Sequence, residues 1–221
     1  MSSESSVSVD VGPVEIHTEA RLSEEQLAIS YRYPNYQPDR FCISAKVPPP
    51  PFYVRNVGRM YVLREKIQPD GLPKFICMVG PCWPMICITL GLIIGVSLAV
   101  FATCMSDIPI WLSILACTSL LVTIISFLFT ACTDPGVQRR YTENTEGPSW
   151  TYSEQAQTFR PPGAVYDLEA QVVINKIDHF CPWTGTIVAE KNMNYFRTFN
   201  GSLFITILFV IAVGVVHFSL V

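Results

Sequence analysis

Three long stretches of the chain carry no Asp, Glu, Lys or Arg, and this pattern constrains the fold more than any other feature of the sequence. The stretches lie between Lys74 and Asp107, between Asp107 and Asp134, and from Thr198 to Val221. Each is longer than the roughly 20 apolar residues that a helix needs to cross a hydrocarbon core of about 30 Å. The pattern predicts an α-helical multi-pass membrane protein with transmembrane helices near 84–104, 109–131 and 201–221.

Composition and cysteine usage agree with this class. Of the 221 residues, 50% are hydrophobic and 15% are charged, which is too apolar for an ordinary soluble domain. The eight cysteines are scattered and do not resemble a secreted disulfide framework, so we expect reduced thiols. Cys77, Cys82 and Cys87 lie near the edge of the first span, where they are either sites of S-acylation or small packing residues.

The basic residues set the predicted topology. All fifteen Lys and Arg lie before the first span or between the second and third spans, so the positive-inside rule places the N-terminus and the 132–200 segment in the cytosol. The arm before the run of prolines has too few apolar residues for a core, and "FYVRNVGRMYVLREK" after it predicts a short hairpin or interfacial strand. The predicted organisation is a disordered cytosolic arm over 1–51, a cytosolic pre-membrane segment over 52–74, transmembrane helices 1 and 2 over 75–131, a small cytosolic loop domain over 132–200 and transmembrane helix 3 over 201–221.

Several short motifs follow one another between the spans. Asp134-Pro135-Gly136 is preceded by Thr133 and has the residues of a turn, which ends the second helix. The motifs after it are Arg160-Pro161-Pro162, then Asp178-His179-Phe180-Cys181-Pro182-Trp183, then Asn192 and Phe196. In this order and spacing they resemble the Asp-His-His-Cys (DHHC) protein S-acyltransferases, over about residues 52–221.

The resemblance implies a multi-pass enzyme, usually of four helices, whose cytosolic domain carries a nucleophilic cysteine at the membrane surface. Family members take a fatty acyl chain from acyl-CoA onto that cysteine and pass it to a cysteine of a substrate protein. For this chain, the implied partners are the lipid bilayer, palmitoyl-CoA or a similar acyl-CoA, and substrate proteins with membrane-proximal cysteines, with no nucleic acid. The implied location is the Golgi or endoplasmic reticulum membrane. The sequence stops at Val221 before the fourth helix that the resemblance implies, so we expect either a fragment or a C-terminally truncated protein.

Matched by position to the family, Cys181 is the expected nucleophile. A thiol near its ordinary pKa is mostly protonated at cytosolic pH, so acyl transfer needs a base beside it. His179 titrates in the right range, and Asp178 can fix its tautomer and stabilise the imidazolium. Asn192 is expected to tie the loop to the membrane helices and Phe196 to dock it.

The family's structural zinc has no expected ligands here. The family holds two zinc ions through six cysteines and two histidines, and its pattern places those positions at Ser153, Ala156, Tyr166, Asp167, Ala170, Val173, Phe180 and Ile187. Zinc needs thiolates or imidazoles at tetrahedral geometry, so we expect no metal site and no resident cofactor. We expect a hydrophobic cluster instead, formed by Ala156, Ala170, Val173, Phe180 and Ile187 with Val172, Ile174, Ile177 and Val188.

Two other functions stay open. The triad is either active or a relic, and in the second case the chain is a catalytically inactive membrane scaffold or regulatory subunit. A membrane adaptor or channel-like subunit would share the spans but has no need of the Asp-His-x-Cys sequence. The spans lack the charges expected of an ion pathway, His217 being the only ionisable group deep in one.

Overall fold

Three long helices dominate the computed structural model, which describes residues 48–69, 71–104, 108–144 and 147–220. The N-terminal arm predicted over 1–51 lies almost entirely outside these residues. Helix α1 spans Trp83–Cys104, α2 spans Ile110–Cys132 and α3 spans Met193–Leu220. All three are long and apolar enough to cross a membrane, which confirms the predicted fold class.

Helix α3 begins earlier than the sequence pattern predicted. Its first residue is Met193, whereas the predicted span started at residue 201, so the end of the predicted 132–200 domain is helical. The prediction placed residues 193–200 outside the membrane because this part of the sequence contains the charged residue Arg197. A helix can start in the interfacial layer and continue into the hydrocarbon, because its backbone hydrogen bonds are satisfied internally in both places.

Hydroxyl side chains join α2 to α3, which packs more closely against α2 than against α1. Thr123 Oγ1 lies 2.9 Å from Thr206 Oγ1, and Ser126 Oγ lies 3.4 Å from Ser202 Oγ. Thr206 also donates to Ser119 Oγ over 3.2 Å. Small hydroxyl residues let helix backbones approach and hydrogen-bond across the interface, so they hold this pair together where lipid removes the hydrophobic driving force.

A three-stranded antiparallel sheet precedes α1. Its strands are β1 (Arg55–Val57), β2 (Met60–Ile67) and β3 (Pro73–Val79), in the order β1-β2-β3. The predicted hairpin is therefore present, and Gly58 supplies its turn with a φ of +57°. The predicted start of the membrane segment at residue 75 is wrong, because residues 75–79 belong to β3 and the helix begins after Gly80-Pro81.

The segment between α2 and α3 contains three two-stranded antiparallel hairpins. They pair β4 (Thr151–Ser153) with β5 (Thr158–Arg160), β6 (Ala164–Asp167) with β7 (Val172–Asn175), and β8 (Ile177–Cys181) with β9 (Thr186–Ala189). The first two turns use Gln157 and Gln171 at φ of 48° and 55°, and the third uses Gly185 at 65°. Each turn therefore contains a residue in the left-handed region.

One hydrophobic core joins the N-terminal sheet to these hairpins. Strands β1–β3 contribute Val57, Met60, Val62, Phe75 and Met78, and the later hairpins contribute Ala156, Tyr166, Ala170, Val172, Val173, Ile174 and Ile187. Ile177 and Phe180 pack against it. The predicted cluster is thus present except for Val188, which is buried elsewhere. The first sheet takes part because β1–β2 contacts β6–β7: the Arg59 N–H donates to the Ala170 carbonyl over 2.7 Å.

Cysteines in the described ranges differ in state. Cys82 is disulfide-bonded, so the expectation of reduced thiols is wrong at that position. Cys77, Cys87, Cys104, Cys117, Cys132 and Cys181 are free.

Candidate active site

The β8–β9 hairpin carries the three predicted catalytic residues, and a β-bulge in β8 arranges them. Ile177 pairs with Ala189 and His179 pairs with Val188, so Asp178 is the extra residue in β8. A bulge re-aims the side chains beside it. The Asp178 and His179 side chains can therefore meet, although neighbouring residues of a regular strand point to opposite faces.

Asp178 and His179 form a hydrogen-bonded pair. Asp178 Oδ2 lies 2.9 Å from His179 Nδ1, and the side chains are 57% and 41% exposed. A carboxylate that accepts from Nδ1 fixes the tautomer in which Nε2 carries the lone pair. The His179 ring also meets the Phe196 ring edge-on, with centroids 5.2 Å apart. The pair therefore has the arrangement of a general base and its orienting acid, and α3 supports the imidazole.

Cys181 lies at the end of the same strand and is 6% exposed. It pairs with Thr186, two positions beyond the pair of His179 and Val188, so His179 and Cys181 share one face of the hairpin. The other face carries Phe180, which packs on the core. In the part of the chain that the structure describes, no hydrogen bond joins the His179 ring to the Cys181 thiol. The acid and base are thus assembled, and the thiol is beside them but not bonded to the base.

The turn after Cys181 packs tightly on the start of α1. A Cβ on Gly185 would lie 2.7 Å from the Cys82 carbonyl oxygen, and a Cβ on Gly80 would lie 2.1 Å from the Gly185 carbonyl oxygen. Thr89 of α1 donates to the Trp183 carbonyl over 2.9 Å. Glycine at 80 and 185 is needed because the two backbones approach more closely than any side chain allows. The cysteine is therefore held at one end of a membrane helix.

Asn192 connects the hairpin to α2, as the sequence predicted. Its side chain is fully buried, accepts from the Ala189 N–H over 2.8 Å, and donates to the carbonyls of Ile187 over 2.8 Å and Thr130 over 3.2 Å. Thr130 lies in the last turn of α2, where carbonyls have no partner within the helix.

A second connection was not predicted. Asp134 Oδ1 accepts from the N–H groups of Gly136 and Val137 over 2.9 Å, and its Oδ2 accepts from Lys191 Nζ over 2.9 Å. The Asp134-Pro135-Gly136 turn therefore both ends α2 and binds the residue before Asn192. A lone lysine 57 residues away gives no sequence signal for such a pair.

An apolar cavity of about 310 Å³ lies between α1 and α3. Its lining includes Leu92, Ile93, Val96, Leu203, Ile207 and Val210. Leu92 follows Thr89 by three residues, or about 5 Å along the helix axis. The cavity therefore begins about one turn beyond the point where α1 contacts the turn that follows Cys181.

The positions that correspond to the family's zinc ligands do not fit a metal ion. Six of them, Ala156, Tyr166, Ala170, Val173, Phe180 and Ile187, belong to the apolar core or pack against it. Across the described ranges, no three His, Cys, Asp or Glu side chains lie close enough together to hold a metal ion. Five of these side chains offer only carbon and Tyr166 offers a phenolic oxygen, where thiolate sulfur or imidazole nitrogen would be needed.

The fold and the hairpin define a class: a multi-pass helical membrane protein with a β-rich domain and an acid, a base and a thiol held at one end of its helices. Residues 147–220 match the family described as DHHC palmitoyltransferase. This segment, one third of the chain, is therefore similar to the DHHC palmitoyltransferases.

Curated proteins similar to the chain are named palmitoyltransferases. The chain is 33% identical over 66 residues to palmitoyltransferase ZDHHC9 of Danio rerio, covering 30% of this chain and 17% of the relative. It is 33% identical over 69 residues to palmitoyltransferase ZDHHC9 of Homo sapiens, covering 31% and 19%. For palmitoyltransferase ZDHHC18-B of Danio rerio the identity is 28% over 128 residues, covering 44% and 33%. The chain thus spans one third or less of the length of these relatives.

Proposed function

We propose that this chain is a protein S-acyltransferase that accepts a fatty acyl group from palmitoyl-CoA or a similar acyl-CoA on Cys181 and passes it to a cysteine of a substrate protein. The observation that carries the proposal is the 2.9 Å hydrogen bond between Asp178 and His179 on the strand that ends in Cys181, in a segment similar to the DHHC palmitoyltransferases. An oriented base beside a thiol has no obvious purpose in a purely structural hairpin.

The residues divide the chemistry as follows. Nε2 of His179 takes the thiol proton of Cys181, and Asp178 stabilises the imidazolium that results. The thiolate attacks the thioester carbonyl carbon of the acyl-CoA, the carbon–sulfur bond to coenzyme A breaks, and the proton passes from His179 to the departing thiolate. In the second half, the substrate thiol attacks the Cys181 thioester, with His179 again moving the proton.

The Cys181 thiol must approach His179 for this chemistry. The two residues share a face of β8, so a side-chain rotation moves the thiol and the imidazole toward each other, and catalytic hydrogen bonds commonly tighten only when substrate binds. The Phe196 ring keeps the imidazole in place meanwhile.

The cavity between α1 and α3 suits the acyl tail. Its volume of about 310 Å³ lies at the lower end of ligand pockets, and its lining is almost wholly apolar. An alkyl chain anchored at Cys181 would run along α1 toward Leu92. Substrate cysteines must then reach the membrane surface, so we infer that they are membrane-proximal.

The site works without structural zinc in this proposal. The buried apolar side chains at the ligand positions supply the shape that metal supplies in the family pattern, at about 1.5–3 kcal/mol for each large side chain. Elemental analysis of the purified protein tests this inference. Stoichiometric zinc that survives chelation would contradict it.

The proposed orientation places the N-terminus and the β-rich domain in the cytosol, in the Golgi or endoplasmic reticulum membrane. It rests on the basic residues, which are concentrated outside the spans. A protease added outside sealed microsomes should digest an epitope at the N-terminus without detergent. Its protection would reverse the orientation.

A scaffold or regulatory role is the second candidate. The observation that favours it is the buried Cys181 thiol, which has no hydrogen bond to His179 within the described residues. Both proposed functions are compatible with the fold, the cavity and the family resemblance, so only a test for acyl transfer distinguishes them.

Labelling with an acyl-CoA decides between the two. Purified full chain is incubated with radiolabelled palmitoyl-CoA, and a hydroxylamine-sensitive adduct is expected on Cys181. Cys181→Ser should abolish it, and Cys117→Ser, which removes an exposed free cysteine of α2, should not. His179→Ala should slow labelling by about 10²-fold or more, the usual contribution of a general base. Label that persists in Cys181→Ser would remove this thiol from the mechanism, and absence of label would favour the scaffold.

A further inference from the structure

Thr186 lies across the β8–β9 hairpin from Cys181, and the two residues form its last cross-strand pair before the turn. Residues that face each other across an antiparallel pair point to the same side of the sheet, with Cβ atoms about 4.5–5.5 Å apart. Ile187, the next residue of β9, lies in the core on the opposite side. The Thr186 side chain therefore shares the face of His179 and Cys181.

The Thr186 hydroxyl is buried and has no hydrogen-bond partner among the residues that the structure describes. The residue is 0% exposed. The backbone before α1 approaches it closely, since a Cβ on Gly80 would lie 2.7 Å from the Thr186 Cα. A hydroxyl that leaves water without gaining a partner costs free energy, so an unpaired one at this place needs a physical explanation.

Other fully buried threonines are paired. Besides Thr186, four threonines within the described ranges are 0% exposed, and each donates to a nearby acceptor: Thr123, Thr130, Thr158 and Thr184. Thr184 is the nearest comparison, because it lies in the turn between β8 and β9 and donates to the Cys181 carbonyl over 3.3 Å. Among these threonines, the unpaired hydroxyl is thus the one opposite the thiol.

We propose that Thr186 is a further catalytic residue, whose hydroxyl donates a hydrogen bond to the Cys181 sulfur when that sulfur carries negative charge. The inference rests on the proposed function, because it takes Cys181 as the nucleophile. A hydroxyl hydrogen rotates about its C–O bond, so it can follow a rotation of the thiol side chain. A neutral thiol accepts weakly and a thiolate accepts strongly, so a donor that is unpaired at rest gains most when the charge develops.

His179 and Thr186 approach the sulfur from two directions. His179 lies two positions earlier on the same strand, and Thr186 lies on the paired strand. Once Nε2 of His179 has taken the thiol proton, the imidazolium N–H and the Thr186 O–H both donate to the thiolate, and Thr186 keeps its own proton. In the second half of the reaction the same thiolate leaves as the substrate thiol attacks, so one donor assists both halves.

Two substitutions separate the hydroxyl from the shape of the side chain. Thr186→Val replaces the hydroxyl by a methyl group of similar size, and Thr186→Ser keeps the hydroxyl. A hydrogen bond to a charged group changes an equilibrium by about ten-fold, and part of this change is offset because a less stabilised thiolate is the better nucleophile. Peptide mass spectrometry of the full chain in membranes should therefore show about three-fold slower alkylation of Cys181 by iodoacetamide in Thr186→Val, and a restored rate in Thr186→Ser.

The melting temperature distinguishes this role from a structural one. Because the Thr186 hydroxyl makes no hydrogen bond to the described residues at rest, Thr186→Val should leave the melting temperature unchanged or raise it. Thr184→Val is the matched control, since it removes a bonded hydroxyl from the same hairpin and should lower the melting temperature. A fall in the melting temperature of Thr186→Val as large as that of Thr184→Val would assign the hydroxyl to the fold and overturn the proposal.

Labelling with palmitoyl-CoA is measured on the native protein, Thr186→Val and Thr186→Ser, so that the two proposals can fail separately. Alkylation that slows in Thr186→Val and recovers in Thr186→Ser supports the hydrogen bond even where no protein takes up label, and the absence of label then contradicts acyl transfer alone. Equal alkylation of the native protein and Thr186→Val, or an equally slow Thr186→Ser, would overturn the hydrogen bond, while label on Cys181 would leave the proposed function standing. Failure of iodoacetamide to modify Cys181 in all three proteins would also overturn it, because a stabilised thiolate has to react.

Discussion

Replacement of Asn192, the residue just before α3, by alanine should strongly destabilise the junction between the β8–β9 hairpin and α2. The Asn192 side chain is fully buried and makes three hydrogen bonds, to the Ala189 N–H and to the carbonyls of Ile187 and Thr130. Alanine removes all three. The Ala189 N–H and the carbonyls of Ile187 and Thr130 then lose these partners at a buried site.

The magnitude follows from the cost of unsatisfied buried groups. Each lost bond is worth about 1 kcal/mol net, and each buried group left without a partner costs about 1–3 kcal/mol. The bond to Thr130 is the longest, at 3.2 Å, and contributes least. We therefore expect a loss of about 3 kcal/mol in the free energy of unfolding. For a chain of this size that corresponds to a fall of about 6–12 °C in melting temperature.

Thermal-shift measurements on detergent-purified protein provide the assay, and Asn200→Ala is the matched control. Asn200 lies in α3 and is exposed, and its amide makes one hydrogen bond, to the Phe196 carbonyl over 3.0 Å. Its loss should cost no more than about 0.5 kcal/mol. Asn192→Asp should be at least as damaging as alanine at neutral pH, because it places a carboxylate against two carbonyls. Equal melting temperatures for Asn192→Ala and Asn200→Ala would refute the reasoning.

Three further changes test the hairpin, the core and the partly buried carboxyl group of Asp167. Gly185→Ala should lower the melting temperature more than Gly163→Ala: both positions have φ in the left-handed region, at +65° and +81°, but only the Gly185 Cβ would meet a neighbour, the Cys82 carbonyl at 2.7 Å. Equal falls in melting temperature for the two variants would mean that the need for glycine at position 185 comes from its backbone conformation alone and not from its contact with Cys82. Ile187→Ala should cost about 2–5 kcal/mol in the same assay, since this side chain is 0% exposed, and a change below 1 kcal/mol would argue against the shared core. Burial raises the pKa of Asp167 above its ordinary value, against the effect of hydrogen bonds from backbone N–H groups, so the carboxyl favours folding at acidic pH and this contribution is lost as pH rises through the folded pKa. Asp167→Asn should therefore raise the melting temperature at pH 7 with little effect at pH 4, and the reverse dependence would contradict the sign.

The helices could be predicted because charge and length are local properties. Each span shows as a gap in the charged residues, and the ends of α1 and α2 were placed within one residue of those in the structure. The start of α3 was missed because Arg197 marks the segment as extramembrane but says nothing about its conformation. The apolar run Phe75–Val79 was taken into the membrane region, although its short length and the following Gly80-Pro81 are typical of a buried strand.

The site could be predicted only in part. Asp178, His179 and Cys181 are adjacent in sequence, so their proximity needed no knowledge of the fold. Whether their side chains meet depends on the bulge at Asp178, which is a property of strand pairing and leaves no mark in the sequence. Lys191 was missed for a related reason, since its partner Asp134 is 57 residues away.

For the hydrophobic cluster, residue types predicted most of the member residues correctly but underestimated the size of the core. The apolar replacements at the zinc-ligand positions predicted a small core within the loop domain. The core is larger because Val57, Met60 and Phe75 from the N-terminal sheet enter it. Long-range packing of this kind cannot be read from periodicity, which reports only which face of a strand is buried.

The position of Cys181 is determined from both faces of its hairpin. On one face, Phe180 rests on a core that includes strands β1–β3, outside the segment matched to the family. On the other, His179 meets Phe196 of α3, and the turn at Gly185 abuts α1. A metal site fixes a loop through a few strong bonds at one place, whereas this arrangement fixes it through two opposed surfaces. It follows that changes in the N-terminal sheet, far from the triad in sequence, should displace the reactive hairpin as effectively as changes within it.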